Sequence, residues 1–163
     1  MRTVPVFLLA LLLTSCSSAP ERPAFSDFME IREVKADDPL AARFYNEEEE
    51  EFRLGDPIVT GKTVSRMQVK PLSEDQFDLH VTLLGADDSR WRRFARSRGR
   101  QAALIVNGKV RSVFDVADPG APVEGELLVV RVPAVARTQE AADALDTYLE
   151  TGRTARRVKK EGK

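Results

Sequence analysis

The chain contains only one cysteine and one histidine among its 163 residues. A lone cysteine, Cys16, cannot form an internal disulfide, so apolar packing must hold any folded domain together. A lone histidine, His80, supplies neither a multi-histidine zinc site nor, if Cys16 is modified, a Cys/His pair. The sequence also lacks a Gly-rich phosphate loop and a Gly-x-Ser-x-Gly elbow. We therefore expect a protein that is not an enzyme and that has no cofactor and no metal ion.

Neither sign of charge dominates the sequence. With 25 basic and 26 acidic residues, the formal net charge is −1 at pH 7. Nucleic-acid-binding domains usually carry a clear positive excess, so we expect no nucleic-acid partner. Long apolar runs are absent too, since the longest, residues 4–13, makes about 15 Å of helix, which is half of what a bilayer core requires.

That apolar run follows Arg2, ends with Leu13 and is followed by Thr14, Ser15 and Cys16, which is the order of a secretory signal peptide. An aliphatic residue, two small residues and a cysteine resemble the lipobox of bacterial lipoproteins. The resemblance implies cleavage between Ser15 and Cys16, lipid on the Cys16 sulfur and acylation of the new amino terminus. An ordinary signal peptide with an unrelated cysteine is the alternative.

The lipid would make a membrane the first partner, because two or three acyl chains hold a protein firmly at a bilayer. Ser17 resembles the residue that sorts lipoproteins to the outer rather than the inner membrane, so we expect a periplasm-facing envelope protein. Residues 16–26 are small, polar and Pro-containing, which predicts a flexible tether. Residues 27–152 are then one domain, and the basic residues 153–163 are expected to be a disordered tail.

Apolar alternation and short apolar runs predict six strands in that domain, at residues 28–35, 64–69, 77–83, 102–106, 109–114 and 127–132. Residues 37–46 give no clear pattern. Asn107-Gly108 is the preferred dipeptide of a type I′ hairpin, Asp118-Pro119-Gly120 predicts another turn, and Pro133 predicts the end of a strand.

Two helices are predicted between and after these strands. Asp87 and Asp88 offer an N-cap for a helix that ends at Gly99, and Trp91 and Phe94 share its apolar face. Thr138 starts a second helix, with an apolar stripe of alanines and leucines, that ends at Gly152. The order indicates an α+β fold, a β-α-β-β-β-α sandwich with two helices packed on one face of a mixed or antiparallel sheet.

Three segments carry motifs in the order found in a known family. They are Leu54-Gly55-x-Pro57-x-Val59-Thr60-Gly61, then Trp91-x-x-Phe94 with Gly99-Arg100, Asn107-Gly108 and Ser112, then Thr138-Gln139-Glu140-Ala141-Ala142 with Leu145, Leu149 and Gly152. Together they resemble the periplasmic head of SecD, the accessory subunit of the Sec protein-export machinery. The resemblance covers residues 28–152 and implies a head-like module that contacts unfolded exported polypeptide.

The sequence departs from that family in ways that limit the inference. SecD proteins span the membrane several times and couple export to proton flow, and no such spanning segment occurs here. Val113-Phe114 stands where the family has proline after the return-strand serine, and residues 130–133 replace its Ile-x-Gly. We therefore expect a lipid-anchored binding module for exported polypeptides or an envelope partner, without proton-coupled translocase activity. The alternatives are an envelope hydrolase or transferase with a carboxylate-based site, and a structural lipoprotein that contacts anionic membrane or wall.

Charged segments supply the remaining candidate sites. An arginine cluster surrounds the apolar face of the first helix and is either a solvated helix face or a contact for an anionic partner; its members are Arg90, Arg92, Arg93, Arg96, Arg98 and Arg100. The basic tail raises the same alternatives with an anionic membrane. The acidic run of residues 47–51 is expected to be a solvated loop or helix end, with weak divalent-cation binding as its alternative. His80 is expected to be a surface residue without a catalytic role.

Overall fold

The computed structural model describes residues 27–97, 99–119 and 126–161. Within them the chain forms the following elements: β1 (Met29–Val34), β2 (Ala42–Tyr45), β3 (Glu51–Thr60), β4 (Val64–Ser73), β5 (Gln76–Leu83), α1 (Gly85–Ala95), β6 (Gln101–Val106), β7 (Lys109–Asp115), β8 (Val129–Ala136) and α2 (Gln139–Glu161). The expected α+β fold with two helices is confirmed. Several predicted features lie outside the described residues: the signal peptide with Ser15, the predicted lipidation site Cys16, the tether, Arg98 and Gly120.

Five strands close into a small barrel in the order β1-β3-β2-β7-β6. The side chains of β1 alternate, as a strand requires, so Met29 and Ile31 face the main core while Glu30 and Arg32 face the barrel interior. That interior is filled by one small apolar cluster, Phe44, Leu54, Ala103, Ile105 and Val110. The sequence predicted one sheet, whereas the structure divides the strands between this barrel and a second sheet. Two strands of the barrel, β2 and β3, were not predicted.

The other three strands form a separate antiparallel sheet in the order β4-β5-β8. The predicted alternation of β5 is confirmed, because Leu79, Val81 and Leu83 are fully buried. The outer face carries His80, and its cross-strand neighbours are Gln68 on β4 and Arg131 on β8.

The main core lies between the inner face of this sheet, the outside of the barrel and both helices. From α1, Trp91 and Phe94 enter the core, and the Trp91 ring stacks on Phe114 of β7 at 6.5 Å between centroids. From α2, Leu145 and Leu149 enter the same core. Burial of such large apolar side chains contributes about 1.5–3 kcal/mol each, which explains how a domain without disulfides is held together.

Pro133 does not end β8, contrary to the prediction, because it lies in a bulge. Between the pairs Leu79–Val132 and Phe77–Ala136, β8 has two more residues than β5. The carboxylate of Asp78, which is 2% exposed, accepts a hydrogen bond from the Ala134 amide at 3.1 Å. Pro133 has no N–H to donate and is tolerated inside the bulge, so β8 pairs with β5 again after it.

Gly152 does not end α2 either, and the helix continues to Glu161 through most of the predicted disordered tail. The glycine is required for packing instead. A Cβ built at Gly152 would lie 2.6 Å from Cγ of Phe28, and one built at Gly61 would lie 2.5 Å from Cε1 of the same ring. Phe28 is therefore clamped between Gly61, in the turn between β3 and β4, and Gly152, in α2. This contact joins the start of β1 to α2.

Candidate functional site

The arginines of α1 do not form one cationic surface. Arg92 is bonded to Asp88 one turn earlier, and its side chain is only 12% exposed. Arg100 contacts Glu33 of β1 at 2.5 Å and lies over the Phe94 ring at 5.4 Å. Arg90, 60% exposed, is 3.8 Å from Asp87. Among the predicted anionic-contact residues that the structure describes, Arg93 and Arg96 are exposed, which leaves a much smaller charge than the sequence suggested.

The acidic run forms the turn between β2 and β3 and the first residue of β3. Its carboxylates go to different cations, with Glu47 at 2.6 Å from Arg111 and Glu49 at 2.7 Å from Lys109. Within the described residues no group of three or more His, Cys, Asp or Glu side chains is placed to hold a metal ion. The run therefore fastens the β2–β3 turn to β7, where the barrel closes.

His80 lies half-buried on the outer face of the three-stranded sheet. Burial lowers the pKa of the imidazole, the charges of Lys70 and Arg131 lower it further, and Asp78 opposes them. Arg131 is ion-paired with that aspartate at 2.5 Å. His80 is thus a partly covered surface residue with two cations and one carboxylate around it.

The barrel has a seam between β2 and β7. These two strands are parallel and are joined by one pair only, Tyr45 with Lys109. In the described part of the chain, no strand pairs with that edge of β7 after Lys109. The Val116 amide donates to the Arg100 carbonyl on the β6 side at 2.9 Å. Because backbone groups alternate along a strand, the N–H and C=O of Val113 and Asp115 point away from β6, toward the open edge.

A groove of about 420 Å³ lies along this open edge, and we call it the seam groove. It is lined by residues 46–48, 52, 110–113 and 134–137. Val110 and Val135 are buried in its walls, Phe52 is half-buried, and the Val113 side chain is exposed. Arg111 is ion-paired with Glu47 at 2.6 Å beside the groove, and Glu48 and Arg137 also line it. The groove therefore combines a mostly polar surface, charges of both signs and an unpaired strand edge.

A second and larger cleft of about 840 Å³ lies between the β1–β2 connection, residues 54–58 of β3 and Arg90 of α1. Leu40 stands at its lip and is 94% exposed. β3 pairs with β1 at Leu54, Pro57, Val59 and Thr60, and with β2 over residues 51–54. Arg32 in the floor of the cleft donates to Glu30 and to the Gly55 carbonyl. In the described chain no strand pairs with residues 55–58 on the β2 side, but Pro57 has no N–H, so this cleft offers side chains and only a short, interrupted strand edge.

No direct signal for the seam groove is present in the sequence. Val113 and Arg111 were placed in a strand, but which edge of that strand lacks a partner depends on how residues far apart in the chain close the barrel. The only sequence feature that pointed there was the alternation of β7, with Arg111, Val113 and Asp115 exposed and Val110 and Phe114 buried. For the described residues, no helix is long and apolar enough to cross a membrane.

Comparison with known proteins finds relatives by structure alone. No family model matches the chain, and no curated protein sequence matches it. A solved structure of SecDF, described as a membrane component that enhances protein export, is similar with a TM-score of 0.51 and 15% identity, over 76% of this chain and 62% of that one. SecDF in its super-membrane-facing form is similar with the same TM-score and identity, over 18% of its chain.

This chain therefore spans less than two thirds of the first SecDF chain and less than a fifth of the second. At 15% identity, the likeness establishes the fold. The expected resemblance to the SecD head is confirmed at that level.

Proposed function

We propose that this domain is a non-enzymatic binding module of the cell envelope that takes an extended polypeptide segment into the seam groove. The unpaired edge of β7 carries the proposal, since a strand edge with outward amides and carbonyls accepts an additional strand. Main-chain hydrogen bonds then supply affinity for many sequences. Such tolerance suits a protein that meets unfolded chains, as the similarity to SecDF, an enhancer of protein export, suggests.

The groove's side chains fit the same occupant. The exposed Val113 offers an apolar contact on this edge, and Val110 and Val135 lie buried beneath the lining of the groove. Charges of both signs line the rim, where Arg111 is paired with Glu47, so the rim selects no single charge. A peptide of mixed composition is the ligand that this combination favours.

Anchoring at a membrane through lipid on Cys16, with the domain facing the periplasm, completes the proposed function. It would keep the groove where exported chains emerge. It would also replace the spanning segments that SecD proteins use, so binding without proton-driven translocation is the activity we assign.

The test is binding of a reduced and alkylated, permanently unfolded polypeptide to the full chain, followed by fluorescence anisotropy. Val113→Pro removes the outward amide, and proline is tolerated where an edge N–H faces solvent, so the fold should persist while binding falls about tenfold or more. Val113→Thr, which keeps the amide and the β-branched shape, is the matched control and should bind like the parent. Equal binding by the proline and threonine variants, both with unchanged circular dichroism, would refute strand addition at β7.

A further inference from the structure

The last turns of α2 are strongly basic. From Arg153 to Glu161 the helix contains Arg153, Arg156, Arg157, Lys159 and Lys160 against the single acid Glu161, which gives a formal charge of +4. The sequence suggested a disordered tail here, whereas the structure continues the helix. The helical backbone runs through these residues, so the direction of α2 determines from which end of the domain they extend.

Two contacts show where this segment lies. Asp146 accepts a hydrogen bond from the Val69 amide at 3.3 Å, and seven residues later Arg153 donates to the Ser65 carbonyl at 3.5 Å. Helix α2 therefore runs antiparallel to β4 and covers its free edge. Since β4 begins at Val64, the residues after Arg153 extend past the start of the sheet by about 12 Å, at 1.5 Å per residue.

The chain enters the domain at this same end. Phe28 is clamped against Gly152 of α2 and Gly61 of the β3–β4 turn. The carboxylate of Asp27 accepts a hydrogen bond from the Lys62 amide at 3.0 Å. The described domain therefore begins, at Asp27, directly beside the basic turns of α2, and the apolar run and Cys16 precede this point in the sequence.

Further positive charge surrounds the entry point. The side chains of Lys62 and Arg66 are exposed there. The acids nearby include Glu150, which is 3.9 Å from Arg153, Asp87, which accepts a hydrogen bond from the Thr63 hydroxyl, and Asp27, which is 4% exposed and already bonded to two amides. We call Lys62, Arg66 and residues 153–160 the basic end. Its positive excess persists after these acids are counted.

We propose that the basic end docks on the anionic phospholipid headgroups of a bilayer. Charge complementarity supports this occupant, and so does the position of the chain entry, because an apolar and lipidated leader at this end would bring these cations to the membrane surface. Each basic residue near an anionic surface strengthens partitioning by about fivefold, and the attraction falls with salt. The inference concerns a surface other than the seam groove and holds whether or not that groove binds polypeptide.

The test measures partitioning of the full chain carrying Cys16→Ser, which removes the acylation site, onto vesicles of phosphatidylcholine with or without 30% phosphatidylglycerol. Sedimentation at low salt should show binding that requires the anionic lipid and is lost in 0.5 M NaCl. Arg156→Gln/Arg157→Gln should weaken the anionic-lipid component about 30-fold, from two residues at about fivefold each. Arg156→Lys/Arg157→Lys should retain it, which guards against an effect of helix fraying.

The matched control is Arg93→Gln/Arg96→Gln, which removes two exposed charges from α1 and should leave partitioning unchanged. Equal weakening by this control would overturn the proposal, because the effect would then follow net charge alone. Binding of soluble polyglutamate with the same dependence on Arg156 and Arg157, and with greater strength than binding to the vesicles, would also overturn it in favour of an acidic protein partner. Equal polypeptide binding by Val113→Pro and Val113→Thr would refute strand addition at β7 but would leave these predictions untouched, so failures of the two proposals are distinguishable.

Discussion

A buried ion pair lies inside the barrel and allows a quantitative test of how the barrel is held together. Glu30 is fully buried and Arg32 is 7% exposed. The Arg32 Nε donates to Oε2 of Glu30 at 2.8 Å, and its Nη1 donates to the Gly55 carbonyl at 3.0 Å. The guanidinium also lies over the Phe44 ring at 4.9 Å. Arg32 is thus neutralised by one carboxylate in an otherwise apolar interior.

Glu30→Met removes that carboxylate and leaves a guanidinium that cannot lose its proton. Breaking a buried pair by removing one partner costs about 3–5 kcal/mol, a large part of the about 5–15 kcal/mol that stabilises a typical domain. The double variant Glu30→Met/Arg32→Met removes both charges and fills similar volume. It should therefore recover most of the loss, since replacing a buried pair with apolar groups is neutral or stabilising by about 1–4 kcal/mol.

Urea unfolding monitored by Trp91 fluorescence measures both effects. With a slope of about 2 kcal/mol per molar, Glu30→Met should lower the midpoint by about 2 M. Arg43→Met is the matched control, because it breaks the exposed pair of Arg43 with Glu51 at 3.5 Å in the same barrel and should cost about 1 kcal/mol or less. A double variant at least as unstable as Glu30→Met would refute the explanation by an uncompensated buried charge.

Three further predictions concern the backbone and one side chain. Gly152→Ala should destabilise the domain by about 1–3 kcal/mol, because the new Cβ would overlap the Phe28 ring. This cost should exceed the gain from the better helix propensity of alanine, and in a Phe28→Ala background the alanine at position 152 should be tolerated. Ala134→Gly should stabilise by about 1 kcal/mol in urea unfolding, since Ala134 has φ 53°, whereas Ala141→Gly in exposed α2 should destabilise by a similar amount. The pKa of His80 is lowered in the folded domain from its ordinary value of 6.5, so the unfolded chain binds more protons than the folded chain as the pH falls through this range. The melting temperature should therefore fall from pH 7.5 to 5.5, and it should fall less in His80→Gln.

Each of these has an outcome that contradicts it. A more stable Gly152→Ala would show that Phe28 moves aside at no cost. A destabilised Ala134→Gly would show that the bulge depends on the alanine side chain rather than suffering from its backbone strain. Identical pH slopes for the parent and His80→Gln would show that other groups control stability in that range.

Local signals in the sequence predicted the elements that depend on neighbouring residues alone. The hairpin at Asn107-Gly108 forms as expected, with both residues at positive φ, 51° and 75°, as a type I′ turn needs. The strand β5 follows its own alternation, and α1 forms where it was predicted. The predicted N-cap at Asp87 and Asp88 is wrong, since Leu84 is the N-cap and the two acids lie in the first turn, where they favour the positive end of the helix. These features require no knowledge of distant parts of the chain.

The failures have the opposite cause, since each depends on a distant partner. Gly152 is a packing residue rather than a helix end because Phe28 lies against it, and Pro133 remains within β8 because Asp78 bonds the amide that follows. Strands β2 and β3 are stabilised by barrel closure rather than by a clear apolar alternation. The candidate sites followed the same rule, because the arginine cluster could be seen in the sequence but its neutralisation by Asp88 and Glu33 could not.

Helix α2 connects the two proposed surfaces and predicts how the domain sits on a membrane. Arg137, in the rim of the seam groove, immediately precedes the helix, and Thr154 lies exposed in the basic end, so about 22 Å of helix separates them. In the Cys16→Ser background, a fluorophore on Thr154→Cys should be strongly quenched by headgroup-labelled anionic vesicles, and one on Arg137→Cys should be much less affected. Both proteins must first bind the vesicles equally by sedimentation. Equal quenching at the two positions would mean that the helix lies flat on the bilayer, which would place the groove against the membrane and rule out its proposed role in receiving polypeptide from the periplasm.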